Sequence, residues 1–491
     1  MTGYFRTLLL ILGLGTTAIA LSGCETNPAT GENMLTLGTS IQDEQKIGAQ
    51  QHPNIIREFG GVYDDPNVTG YVAIVASKLA AASELPNIEW HFTVLNSEDI
   101  NAFALPGGYV YVTRGLMALA GNEAELAGVL AHEIGHVTAR HSTERQSKAT
   151  IAGLFGAGLG LVLGGPAGDI ANQLGSGYIQ HYSQEQEFQA DTLGVRYLSR
   201  TGYQTRTMAD FLSKLRDFSQ LQNKMLGRPA NAVDQADFFA SHPRTIDRVE
   251  QATAEAARVT ASGTTVNREA YLERLDGMTF GDDADQGLVR GRHFIHPKLM
   301  FRFEAPTGFR LINKSNSVLG MGPNGSLMVF DMSPKPFAGA ATEYIRSVWV
   351  QNANLQGLER IEVNGMEGAT ATGRGNTNAG VVDLRFVAVK QNDGRIYRFL
   401  MATPTSLTER MSDSLRRLTY SLRPLTAQEA AQAKPWRIQI YRVGAGETAA
   451  SLASRMAMPD FKEDWFRTLN GLAPGAQVQP GQLVKLVGEA R

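Results

Sequence analysis

His132-Glu133-Ile134-Gly135-His136 sits inside an apolar stretch that runs from Ala124 to Ala139. On a helix, positions four apart lie one turn apart on nearly the same face, so both histidines can aim a ring nitrogen at one metal ion. Glu133 projects about 100° further round the axis, beside the ion rather than onto it. That is where a general base stands to take a proton from a water held by zinc. Asn122 reads as an N-cap with Glu125 as capping-box partner, so the helix is expected to begin at Glu123. A catalytic zinc needs a third protein ligand and one position left for water. His141, five residues past His136, is turned some 140° off the ligand face and reads as a structural or surface histidine. A second helical segment, Tyr182 to Asp191, carries Glu187 and Asp191 one turn apart on one face, whereas Glu185 points away.

Ser142 occupies the place where metzincins carry their third histidine, which excludes that class. Together with the first motif, Glu187-Phe188-Gln189-Ala190-Asp191 resembles the E-x-x-A-D element of HtpX-like and CAAX-prenyl-protease zinc peptidases. That resemblance implies that Glu187 is the third zinc ligand and that Asp191 orients a ligand histidine. Two further elements are similar to the periplasmic BepA-like branch of the family. In the first, Asn101 to Leu116, a strand places Tyr109 and Tyr111 on one side and Val110 and Val112 on the other. Read as an edge strand beside the metal, Gly108, Tyr109, Val110 and Tyr111 would hold an extended peptide by backbone hydrogen bonds. In the second, Ser241-His242-Pro243 precedes a helix. There the resemblance gives His242 two roles, a fourth and inhibitory ligand or a proton donor to the tetrahedral intermediate, and a capping histidine is the plain alternative. The resemblance covers about Gly31 to Ala257. It implies a mainly α zincin-type (gluzincin) peptidase domain with a small β-sheet and one Zn2+ per chain. Unfolded or misassembled envelope proteins are the substrates it implies.

The rest of the chain places this domain in context. At 491 residues it is too long for one core. Its 46 basic and 48 acidic residues leave no basic field for nucleic acid. Arg6 and the apolar run Thr7 to Ala20 read as a signal peptide ending in Leu21-Ser22-Gly23-Cys24, which resembles a bacterial lipobox. Cys24 is the single cysteine, so it is expected to carry lipid, and neither an intrachain disulfide nor a thiolate metal ligand is available. This predicts a lipid-anchored, periplasm-facing envelope protein, with the outer membrane favoured.

Residues 1–23 are thus expected as signal, 24–257 as peptidase domain and 258–292 as a linker holding a short helix near Glu269 to Leu275. Residues 293–425 read as an α+β domain, loosely similar to PsbP-like domains. In it, hairpin turns fall at Pro323-Asn324-Gly325 and Asn392-Asp393-Gly394, and helices near Ala340 to Gln351 and Ser406 to Leu418. After a linker at 426–435, residues 436–491 resemble a LysM repeat, a small α+β module. That resemblance makes peptidoglycan a possible partner, although Glu447 stands where aspartate is usual and extra residues surround Pro459 to Arg467.

Overall fold

The computed structural model describes residues 24–151, 182–229, 245–259, 263–351, 354–377 and 380–489. The signal segment 1–23, the glycine-rich stretch 153–165 and His242 lie outside the described residues, and so does the side chain of Cys24. Two compact units result: the chain up to Met278 together with Ile438–Gly488, and Thr279–Arg437.

The first unit opens with a hairpin of β1 (Cys24–Thr26) and β2 (Asn33–Leu35), in which Cys24 pairs with Leu35. Helices α1 (Ile41–Glu58) and α2 (Pro66–Ala81) follow. Next come β3 (His91–Leu95), β4 (Ala102–Leu105) and β5 (Tyr109–Thr113). A short α3 (Arg114–Leu119) leads into α4 (Glu123–Thr138), the helix of the histidine pair. It begins where expected. The Asn122 side chain accepts from Glu125 N at 2.8 Å, while the Glu125 carboxylate accepts from Gly121 N at 2.7 Å and from Asn122 Nδ2 at 3.0 Å. Every residue of α4 except Val129 is buried, as befits a helix apolar on nearly all sides.

The second acidic segment becomes α5 (Gln184–Arg200), started by a reciprocal Ser183–Gln186 capping box. It packs along α4 at close range because two glycines let it. A Cβ on Gly135 would lie 3.1 Å from the Ala190 carbonyl oxygen, and one on Gly194 would lie 3.3 Å from His132 N. Helices α6 (Thr207–Met225) and α7 (Thr245–Arg258) pack around this pair.

The sheet corrects one expectation. Its order is β3-β5-β4, with β5 parallel to β3 and antiparallel to β4. The Tyr109 strand is therefore central, with both backbone edges paired, and cannot take up a peptide as an edge strand. All five of its residues are buried, with layers on both faces. Among the described residues, β4 is the edge beside α4.

The domain divisions also differ from the sequence reading. Helix α8 (Arg268–Leu275), within the expected linker, buries Tyr271, Leu272 and Leu275 in the first unit. The C-terminal segment belongs to the same unit. It runs strand Trp436–Arg442, helix Ala449–Ser454, helix Lys462–Asn470 and strand Leu483–Glu489. Lys485 is fully buried and donates to the carbonyl oxygens of Ala118 (2.6 Å) and Ala120 (2.8 Å), which end α3. Trp465 packs near Phe218 of α6, and Lys224 pairs with Asp464 at 2.7 Å.

The second unit is built on a seven-stranded antiparallel sheet. Across it run Arg310–Lys314, Ser317–Met321, Leu327–Met332, Ile396–Pro404, Gly380–Lys390, Met366–Thr377 and Gln356–Val363. Both expected turns join neighbouring strands, with Asn324 in the left-handed region at φ 54°. Helix Thr408–Ser421 buries Met411, Leu415 and Leu418 in this unit's aromatic core. Ala341–Tyr344 is helical and continues as a π-helical turn, Ile345–Trp349. Part of the expected linker at 426–435 is also ordered, as helix Ala427–Gln432 with a Thr426–Glu429 capping box.

Candidate metal centre

The α4–α5 contact brings three of the expected side chains to one point. His132 Nε2 and His136 Nε2 lie 3.0 Å apart, and Glu187 places Oε2 3.5 Å from the first and Oε1 3.6 Å from the second. All three residues are buried. Ligands at zinc's usual N and O bond lengths in a tetrahedron are separated by about 3.3 Å, so the spacing and the two-nitrogen, one-carboxylate donor set fit zinc. Glu133, one residue after His132, is buried 2% exposed on the same helix, beside rather than within the ligand triangle. Glu185 is exposed, as its spacing predicts.

Each of the two histidines is also held from behind. His132 Nδ1 is 2.8 Å from Asp191 Oδ1, so its N–H donates to that carboxylate and leaves Nε2 for a metal. His136 stacks on Tyr182 at 3.8 Å between ring centres, and the Tyr182 hydroxyl meets Ser142 Oγ at 2.9 Å. Burial pushes the Tyr182 phenol up to about 12. Tyr182 is therefore a neutral plate against the ring of His136.

Two residues join this centre without a signal in the sequence. The first is Arg248 of α7, which is buried and grips Asp191 with two bonds, Nε to Oδ2 at 2.8 Å and an Nη2 to Oδ1 at 2.7 Å. Its other terminal nitrogen reaches Glu187 Oε2 at 2.9 Å. Burial disfavours both charges, but the Arg248 guanidinium and His132 hold the Asp191 carboxyl well below the usual carboxylate range. One arginine on an amphipathic helix has no spacing signature, so only the fold reveals its target.

The second is His141. Read as lying off the ligand face, it is no ligand, yet it is fully buried with Nδ1 2.9 Å from His136 Nδ1. The 140° rule assumed an unbroken helix. Instead α4 ends at Thr138 with Ala139 as its C-cap, and Arg140 takes the left-handed conformation at φ 53°, which swings the chain back toward His136. A non-glycine residue there costs about 1–2 kcal/mol. Buried Arg140 is secured by Glu44 at 2.7 Å and by Glu25. Burial pushes the His141 imidazole down to about 4, so it is neutral.

A small cleft beside the centre is lined by Ala104 and Leu105 of β4, Pro106, His136, Val137 and Tyr182. Of the residues expected to contact substrate, Tyr109, Val110 and Tyr111 lie inside the central strand, with Tyr111 bonded to His52 Nδ1 at 2.7 Å. Gly108, at φ 98°, abuts the Glu89 carbonyl in the preceding turn. None of the four lines that cleft.

Comparison with known proteins agrees with this chemistry. Residues 66–256 match the family model described as Peptidase family M48. The chain is 32% identical over 226 residues to the beta-barrel assembly-enhancing protease of Yersinia pestis, covering 42% of this chain and 46% of the relative. It is 31% identical over 219 residues to the mitochondrial metalloendopeptidase OMA1 of Saccharomyces cerevisiae, covering 43% and 58%. The chain spans about half the length of the curated relatives it matches. The solution structure of cyanobacterial PsbP (CyanoP) from Synechocystis sp. PCC 6803 is 14% identical and covers 29% of this chain and 98% of that one. Its TM-score of 0.22 carries no argument about the fold.

Proposed function

From the match of residues 66–256 to the M48 peptidase family model and the geometry of the site, we propose that the chain is a zinc-dependent endopeptidase of the bacterial envelope. The observation that carries this is the convergence of His132, His136 and Glu187 at zinc-ligand spacing with Glu133 alongside. Zinc held there would lower the pKa of its water toward ~7 and polarise a substrate carbonyl. Glu133 would take a proton from the attacking water and later deliver it to the leaving amine. Asp191, kept ionised by Arg248, fixes the tautomer of His132 throughout.

The relatives named for enhancing β-barrel assembly support unfolded or misassembled envelope proteins as substrates. An extended segment of such a protein would add to the edge of β4 that is unpaired among the described residues and borders the cleft at His136. Backbone pairing of that kind gives affinity with little sequence preference. Lipid on Cys24 would hold the enzyme to a membrane, and the C-terminal segment would offer peptidoglycan a binding surface. Among the described residues, no helix is long and apolar enough to cross a bilayer.

Cleavage of casein by residues 25–491 with zinc, in wild type, Glu133→Gln and His242→Ala, tests the reading. Activity in wild type and none in Glu133→Gln is the expected result. Activity confined to His242→Ala would instead favour an assembly factor whose protease is latched by that histidine. Equal activity in all three would remove Glu133 from the mechanism.

A further inference from the structure

Behind His136, on the side away from the metal position, a line of hydrogen-bonding groups leads out to the β1–β2 hairpin. His136 Nδ1 is 2.9 Å from His141 Nδ1. His141 Nε2 is 3.0 Å from Gln189 Oε1, and Gln189 Nε2 donates to Glu32 Oε2 at 2.8 Å. The line runs from a fully buried metal-ligand histidine to an exposed carboxylate on a different element.

The proton positions along it follow from its outer end. An ionised carboxylate only accepts, so the Gln189 group facing Glu32 is its NH2, and its carbonyl oxygen faces inward. That oxygen also only accepts, so His141 must present Nε2–H to it. A neutral imidazole has one N–H, which leaves His141 Nδ1 as an acceptor. The nitrogen opposite, His136 Nδ1, must then carry its proton and donate. His136 Nε2 is left unprotonated, on the side where His132 and Glu187 converge.

We propose that Glu32, Gln189 and His141 form a relay that fixes the tautomer and ring orientation of His136, making the N-terminal hairpin a working part of the metal centre. The proposal rests on the zinc reading above. It gives His136 the counterpart of what Asp191 does for His132, through three groups instead of one. The hairpin is built to hold Glu32 in place. Asn27 Nδ2 donates to the Ala139 carbonyl at 2.8 Å, Arg140 pairs with Glu25, and Arg196 donates to the Ala29 carbonyl at 3.3 Å. The left-handed Arg140 is what turns His141 into line. All three relay members are positioning residues, since none reaches the ligand triangle itself.

The test measures zinc dissociation constants by competition with a chromophoric chelator at fixed pH. Variants are His141→Phe, His141→Gln, Gln189→Met, Glu32→Ala and the His141→Phe/Glu32→Ala double. Lost outer-shell partners of a metal ligand weaken binding about 10–100-fold, so His141→Phe should fall in that range, with Gln189→Met near its lower end. Glu32→Ala, at the solvent end, should lose about 2–5-fold. His141→Gln keeps one acceptor and one donor and should recover part of the loss. Because the relay acts as a single path, the double variant should bind zinc no more weakly than His141→Phe alone. A merely structural role would instead give additive losses in melting temperature with zinc affinity unmoved.

Wild-type affinity in His141→Phe or Gln189→Met, or additive loss of affinity in the double variant, would overturn the relay. Absence of zinc binding in wild type would instead defeat the metal reading beneath it. Should His141→Phe not fold, Gln189→Met and Glu32→Ala still decide, being at half-buried and exposed positions.

Discussion

Arg248 is shared between two carboxylates that have no exposed surface, Asp191 and Glu187. Removing one partner of a buried ion pair leaves an uncompensated charge, which costs about 3–5 kcal/mol. Arg248→Met is therefore expected to lower the urea-unfolding free energy of the zinc-free protein by about 3 kcal/mol. The loss should be smaller with zinc bound, because a dication at Glu187 supplies some of the missing positive charge. Arg248→Lys should recover little, since an ammonium cannot make the two-pronged contact with Asp191. Unchanged stability in Arg248→Met would contradict this account of the site. His132, Glu133 and His136 are legible in the sequence through their spacing on one helix, whereas Glu187 and Asp191 stand out only through the resemblance to the E-x-x-A-D element of known zinc peptidases. Arg248 and Asp191 are 57 positions apart, and Glu32 and Gln189 are 157 apart, so no local pattern links them.

The α4–α5 pair sets how close the ligands come. Gly135 faces the Ala190 backbone, which cannot step aside as a flexible side chain would. Gly135→Ala, lying between Glu133 and His136, should spread the helices and cost about 1–3 kcal/mol. It should also weaken zinc binding, and equilibrium unfolding alongside chelator competition would measure both. Gly194→Ala meets the flexible end of Met208 at 2.8 Å and the His132 backbone N at 3.3 Å, so its backbone contact is looser and it should cost less. Wild-type zinc affinity in Gly135→Ala would show that the helix spacing has slack. The start of α4 was readable because Asn122 and Glu125, three residues on, act locally. Sheet order was not, since it depends on which segments meet. The sequence did carry one clue to it: Tyr109-Val110-Tyr111-Val112 offers no polar face, which suits a strand covered on both sides rather than an exposed edge.

For the whole molecule, the decisive feature is that the region matching the M48 peptidase model is completed by the far end of the chain. Lys485 caps the carbonyls that end α3, immediately before the turn that starts α4. Burial pushes its amine well below the usual range, so those carbonyl contacts are what it exchanges for water. The resemblance to a LysM repeat marks 436–491 as a separate module, but it cannot reveal a docking made by one lysine and a few helix-face residues. Residues 279–437 behave oppositely. The ends that flank them meet, with Ile438 N donating to the Met278 carbonyl and Gly277 N to the Ile438 carbonyl, each at 2.9 Å. Joining Met278 to Ile438 through a short linker should leave a folded unit that binds zinc. Deleting 436–491 should cost solubility and zinc binding. Retention of wild-type zinc affinity by the C-terminal deletion would refute the shared unit.

The most direct test counts zinc per chain by elemental analysis, with casein cleavage, in wild type, Glu133→Gln and Glu187→Ala. The account predicts one zinc in wild type, one in Glu133→Gln with cleavage lost, and strongly reduced zinc with no cleavage in Glu187→Ala. Full zinc content in Glu187→Ala, or cleavage that persists in Glu133→Gln, would contradict the assignment of ligand and base.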